Sequence, residues 1–171
     1  MGFTPLEGMI MGTRCGNIDA SIVPYLMKKE NITPDEMTNI MNKKSGFLGL
    51  SGKSSDMGDL SQLAEEGDQR AKVVLKKLTY DTIKNVGAYI AEMNGVDLIV
   101  FTGGIGENDT AARERICSTL GYLGVDFDAE VNAGIHGDDA IITKEGSKVK
   151  AAVIATNEEL VIATDTMNLV K

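Results

Sequence analysis

Apolar positions along this chain follow two rhythms. Leu75, Leu78, Thr82, Val86, Ile90 and Met93 recur at steps of three or four, which predicts the longest helix of the chain, stopped by Asn94-Gly95. Val96-Asp97-Leu98-Ile99-Val100-Phe101 follows as a nearly continuous apolar run, the pattern of a strand buried on both faces. Earlier, helical signals begin at Asp19, with Ile22, Tyr25 and Leu26 at helical spacing. Thr33-Pro34-Asp35-Glu36 then opens a second helix with a capping threonine, a proline at the first helical position and a glutamate three residues on; Gly46 is expected to close it. A short helix is expected between Asp56 and Gly67. Downstream, Ala112, Ile116, Leu120 and Leu123 mark the inner face of another helix, capped by Asn108 or Asp109. Ala140 to Thr143 and Val149 to Ala155 read as strands joined by the turn Lys144-Glu145-Gly146-Ser147, and a last helix starts at Thr156. Strands alternating with helices give an α/β fold, with no repeat or linker dividing residues 1–171 into more than one unit.

Composition narrows the partners. At 171 residues, a chain of this size buries roughly 70% of the surface its unfolded form exposes, so a true core is expected. The net charge of -8 argues against nucleic acid or an anionic membrane as the main partner and favours a small soluble ligand. No apolar stretch approaches the roughly 20 residues of a membrane span, and the start lacks the regions of a signal peptide, so the expected location is the cytoplasm. The two cysteines, Cys15 and Cys117, lack metal-ligand spacing and read as reduced packing residues. His136, the single histidine, lies in a loop-like stretch and is assigned no role.

The strongest chemical signal read from the residues themselves is the glycine loop Thr102-Gly103-Gly104-Ile105-Gly106-Glu107-Asn108 between the apolar strand and the next helix. Glycines let backbone approach a phosphate, and a following helix presents unpaired N–H groups. Strand-to-helix turns also use glycine for geometry alone. The loop is neither a dinucleotide fingerprint, since a third glycine is absent, nor a P-loop, since it has no lysine.

Several ordered segments resemble the acetate kinase family: Met1-Gly2-Phe3-Thr4-Pro5-Leu6-Glu7-Gly8 with Met11-Gly12-Thr13-Arg14-Cys15-Gly16, then Ser54-Ser55-Asp56-Met57, then Phe101 to Asn108, Arg113 to Ile116, and Thr156-Asn157-Glu158-Glu159-Leu160. The resemblance spans essentially the whole chain. It implies the C-terminal nucleotide-binding domain of the actin/sugar-kinase/Hsp70-like (ribonuclease H-like) fold. By the same resemblance, Arg14 is the catalytic arginine that stabilises charge on the transferring phosphoryl group. Gly103, Gly104, Ile105, Gly106, Glu107 and Asn108 would contact ATP or ADP, and Ser55, Asp56 and Met57 would border the adenosine pocket. Glu158 matches the glutamate associated with Mg2+, while Glu159 is read as the return half of a capping box begun at Thr156.

One position departs from the family pattern. Family members usually carry an arginine two residues after the position of Asp56, whereas this chain has Gly58, which offers neither charge nor side-chain surface to ribose or base. The resemblance further implies that an upstream domain supplies the first phosphate-binding turn, a catalytic aspartate, a substrate-side arginine and the catalytic histidines. The last helix, 157–171, is expected to pack toward that domain, and the chain alone is expected to be inactive. Acetate and ATP are the implied substrates and a homodimer the implied assembly. Propionate or butyrate kinase stays open as an alternative, as does a noncatalytic nucleotide-binding or dimerisation module.

Overall fold

Five helices precede the first strand in the computed structural model, which describes residues 2–170: α1 (Ile22–Glu30), α2 (Pro34–Lys43), α3 (Gly46–Ser51), α4 (Met57–Glu65) and α5 (Gln69–Glu92). They belong to the first of two compact units, which divide between Met93 and Asn94. The Thr33 capping box forms: its hydroxyl oxygen accepts the Glu36 N–H at 3.2 Å, and the Glu36 carboxylate accepts the Thr33 N–H at 2.7 Å. Asp56 caps α4 by accepting from the Gly58 and Asp59 N–H groups, and Asp68 caps α5 by accepting from Ala71. After α5 the chain turns through two residues of positive φ, Asn94 at 58° and Gly95 at 133°.

One reading of this unit requires correction. Gly46 does not close α2, which ends at Lys43; it opens α3, a helix that periodicity alone did not reveal because its six residues contain two glycines. α1 forms where Ile22, Tyr25 and Leu26 predict a helix, buries no residue and leaves Tyr25 61% exposed. The core is built by the segment before α1 together with α3, α4 and the first half of α5: Ile10, Phe47, Leu60, Ala64, Ala71, Val74 and Leu78, flanked by Met9, Met57, Leu63 and Leu75. The stripe of α5 continues beyond Leu78, but Val86 and Ile90 are only half-buried and Met93 is exposed.

The second unit runs β1 (Leu98–Phe101), α6 (Gly103–Asn108), α7 (Thr110–Cys117), a 3-10 turn (Gly121–Leu123), α8 (Ala129–Ala133), β2 (Ala140–Ile141), β3 (Lys150–Val153) and α9 (Glu158–Leu169). The sheet order is β1-β3-β2. β1 pairs parallel to β3 with Leu98 opposite Lys150, and β2 pairs antiparallel to β3 with Ala140 opposite Val153. The expected strand pair around Lys144 to Ser147 is therefore present, with shorter strands than the apolar runs suggested. β1 is not buried on both faces. It is an edge strand, with Leu98 and Val100 exposed and Phe101 buried.

Between β1 and α7, the expected glycine loop is itself a six-residue helix, α6. The core of this unit collects Ala112, Ile116, Cys117, Leu120, Ile142 and Val153, all buried. Cys15 and Cys117 are free thiols. Burial raises both, Cys117 to about 12, so neither is poised as a nucleophile. No helix among the described residues is long and apolar enough to cross a membrane.

Candidate functional site

Arg14 sits in the first unit on a segment that is tied at its base and docked at its tip. Gly8 and Asn17 close the base, the Gly8 N–H donating to the Asn17 side chain and the Asn17 N–H donating to the Gly8 carbonyl, both at 2.9 Å. At the tip, the Met11 N–H donates to the Arg14 carbonyl. Three amides around the start of α3 then donate to this segment: Ser45 to the Thr13 carbonyl at 3.0 Å, Phe47 to Met11 at 2.9 Å and Leu48 to Gly12 at 2.9 Å. The orphan donors of a helix start are thus satisfied by the loop that carries Arg14. The half-buried Arg14 guanidinium has only the Met11 sulfur within reach, at 3.7 Å, and forms no ion pair with the described residues. An unneutralised guanidinium of this kind is suited to an anion.

The Ser55 to Met57 segment lies beside the same loop, since a Cβ on Gly12 would approach the Ser55 carbonyl to 3.1 Å. Ser55 and Asp56 are exposed. The Asp56 carboxylate is occupied as the α4 cap, and the Met57 side chain packs on the core. Gly58 is exposed.

The second unit holds the glycine turn at the carboxyl ends of its two parallel strands, the place where α/β folds present ligand sites. Gly106 packs against the end of β1, where a Cβ would lie 3.1 Å from the Phe101 carbonyl carbon, whereas Gly103 (φ 70°) and Gly104 face open space. Asn108 donates back to the Gly104 carbonyl. Glu107 does more than line the turn. One of its oxygens accepts from the Gly103 N–H at 2.7 Å, from the Thr156 N–H at 2.9 Å and from the Thr156 hydroxyl at 2.9 Å. A single carboxylate thereby ties the end of β1 to the chain leaving β3.

The bond from the Thr156 N–H, followed by that from its hydroxyl, holds the Glu107 carboxyl below its ordinary value of 4.5. A depressed carboxylate contributes stability above its unfolded pKa and loses that contribution as pH falls through the lower folded value. Glu107→Gln is therefore expected to flatten part of the acid limb of a melting-temperature profile, leaving the parts due to Glu36 and Asp68. An unchanged limb would show that the clasp adds nothing to the fold.

Thr156 is drawn to Glu107, so the expected capping box with Glu159 does not form. Asn157 caps α9 instead, its side-chain oxygen accepting from Leu160 at 3.0 Å. Glu158 stands exposed in the first turn of α9. Among the described residues, no group of three or more His, Cys, Asp or Glu side chains is gathered to hold a metal ion. His136 is exposed.

Sequence reasoning missed the role of Arg113. It is fully buried, and its guanidinium donates to the carbonyls of Gly106 and Glu107, to the side chain and carbonyl of Asn132, and to the carbonyl of Ile135. Asn132, also buried, donates to the Thr110 carbonyl. The available signal was an arginine set among Ala112, Ile116 and Cys117 on the apolar side of α7, a place where a charge is tolerated only when its donors are hydrogen-bonded.

Comparison with solved structures assigns the chain to the α/β fold shared by actin and the sugar kinases. The crystal structure of Porphyromonas gingivalis acetate kinase superposes with a TM-score of 0.94 at 43% identity, covering 100% of this chain and 43% of that one. A propionate kinase from Francisella tularensis superposes at 0.87 and 43% identity, over 95% of this chain and 41% of that one. In sequence, the chain is 51% identical over its whole length to the acetate kinase of Moorella thermoacetica, of which it spans 43%. The acetokinase family model matches residues 1–164, and the chain belongs to that family.

Proposed function

We propose that this chain is the nucleotide-side part of an acetate kinase, which moves the terminal phosphoryl group between ATP and acetate to give acetyl phosphate and ADP. The observation that supports this most is the Arg14 segment, a guanidinium with no ion pair among the described residues, on a docked loop within a chain half identical to acetate kinases. Arg14 stabilises charge on the phosphoryl group in flight, where a fixed cation acts more strongly than on the ground state. Gly103, Gly104, Ile105, Gly106 and Asn108 serve the nucleotide phosphates through backbone and a short amide, with Glu107 holding the turn. Ser55, Asp56 and Met57 border the adenosine.

Glu158 is the residue that would hold Mg2+. One exposed carboxylate fits a cation that keeps most of its waters and takes its other ligands from substrate phosphates. Bound there, the cation would neutralise phosphate charge. The rest of the machinery comes from an upstream domain of the kind the longer relatives carry. α9 packs toward that domain: it buries no residue, and Leu160, Val161 and Ile162 are each about 60% exposed or more. The working assembly is a cytoplasmic homodimer.

The test is acetyl phosphate formation from ATP and acetate, measured with the chain alone and with the upstream domain of a relative supplied in frame. Turnover that appears only in the joined protein supports the reading. ATP binding without turnover in the joined protein supports a noncatalytic nucleotide-binding module instead. A propionate kinase is the second reading, favoured by the 0.87 superposition, and relative kcat/KM for acetate and propionate separates the two.

A further inference from the structure

We propose that Gly46 is a positioning residue for the Arg14 segment, the one point in α3 where a side chain is incompatible with the docked loop. This inference rests on the reading of Arg14 as catalytic. Gly46 is buried at the first position of α3, with φ at 65°, a conformation that residues carrying a Cβ rarely adopt. A Cβ built there would overlap the Met11 carbonyl oxygen and lie 2.8 and 2.9 Å from the Arg14 carbonyl oxygen and amide nitrogen. All three obstacles are backbone atoms, so no side-chain rotation relieves them. The amides that hold the loop flank this residue: Ser45 on one side, Phe47 and Leu48 on the other. Glycine at this position thus lets the helix start and the loop approach closely enough for three amides to reach three successive carbonyls, those of Met11, Gly12 and Thr13. The loop that carries Arg14 is placed by backbone on both sides of this contact, and the guanidinium itself adds a contact to the Met11 sulfur.

The other end of α3 provides an internal control. Gly52 also has positive φ, 68°, but a Cβ there meets only the far end of the Arg70 side chain, at 3.3 Å. Asparagine accepts positive φ more readily than alanine yet still carries a Cβ. Steric displacement of the Arg14 loop therefore predicts loss with either residue at Gly46 and tolerance of asparagine at Gly52.

The experiment is steady-state kinetics on the enzyme joined to its upstream domain, with Arg14→Ala, Gly46→Ala, Gly46→Asn, Gly52→Asn and the Arg14→Ala/Gly46→Ala double variant. Displacing a catalytic group by about 1 Å costs about 100-fold in rate, so both Gly46 variants are expected to lose about that much kcat with nucleotide KM nearly unchanged. Gly46→Ala is expected to cost nothing further once Arg14 is alanine. Near-wild-type kcat in Gly46→Ala overturns the proposal, and so does an equal loss in the Arg14→Ala background. If Arg14→Ala itself keeps normal turnover, the catalytic reading of Arg14 fails instead. Hydrogen exchange on the unmodified enzyme tests the contact even if the Gly46 variants do not fold. The amides of Phe47 and Leu48 are expected to be protected together with those of Met11 and Cys15, and free-chain exchange at Phe47 and Leu48 refutes the docking.

Discussion

Arg14→Ala in the enzyme joined to its upstream domain is expected to lower kcat by about 1,000-fold, with nucleotide affinity changed only slightly. The asymmetry follows from where the charge is useful. The guanidinium has no carboxylate to neutralise it among the described residues, so its field is available to phosphoryl oxygens. Negative charge is redistributed there as the phosphoryl group transfers, and an interaction that strengthens only at that moment raises kcat without tightening the ground state. Arg14→Lys is expected to recover little, because a point charge cannot reproduce the planar fork. Parallel turnover and nucleotide titration decide the matter. A variant retaining normal turnover rules out Arg14 as the catalytic arginine.

The largest effect on stability is expected at Arg113. Arg113→Ala removes a fully buried guanidinium, takes its N–H bonds from the Asn132 side-chain oxygen and the carbonyls of Gly106 and Ile135, and leaves the Glu107 and Asn132 carbonyls with the Gly137 and Ile135 amides as donors. Stranding several buried acceptors at about 1–3 kcal/mol each makes the expected loss about 3–5 kcal/mol, enough to unfold a marginal domain. Arg113→Lys is expected to rescue only part of that loss, since one ammonium cannot reach groups spread over α6, α8 and the turn after it. Chemical denaturation of the variants gives the measure. A loss below 1 kcal/mol, against the 1–3 kcal/mol typical of even one stranded buried polar group, would mean that water replaces the guanidinium without penalty.

Much of this architecture was legible in local pattern. The Thr33 box, the Asp56 cap, the 24-residue α5 and its Asn94-Gly95 stop all follow from interactions within a few residues, which sequence displays directly. What stayed hidden depends on partners far along the chain. Gly46 looks like a helix stop until the Arg14 backbone, more than 30 positions earlier, is placed against it. Thr156 looks like a cap until Glu107 claims it. Val96 to Phe101 reads as a doubly buried strand because composition does not reveal which face of a strand its neighbours leave uncovered, here the one bearing Leu98 and Val100. The same limit applies to the site. Motif resemblance pointed to the glycine turn and Arg14, but the docking on α3 has no signature in residue order, and the placing of Arg113 among apolar residues of α7 signals its burial without naming its partners.

The Glu107 clasp has a mechanical consequence. Gly103 and Thr156 hang from the same carboxylate oxygen, so the first residue of the glycine turn and the root of α9 behave as one hinge pin with two arms. Tilting α9 pulls on that oxygen, and through it on the opening amide of α6. A body that grips the exposed side of α9 thereby acquires leverage over the turn without touching it.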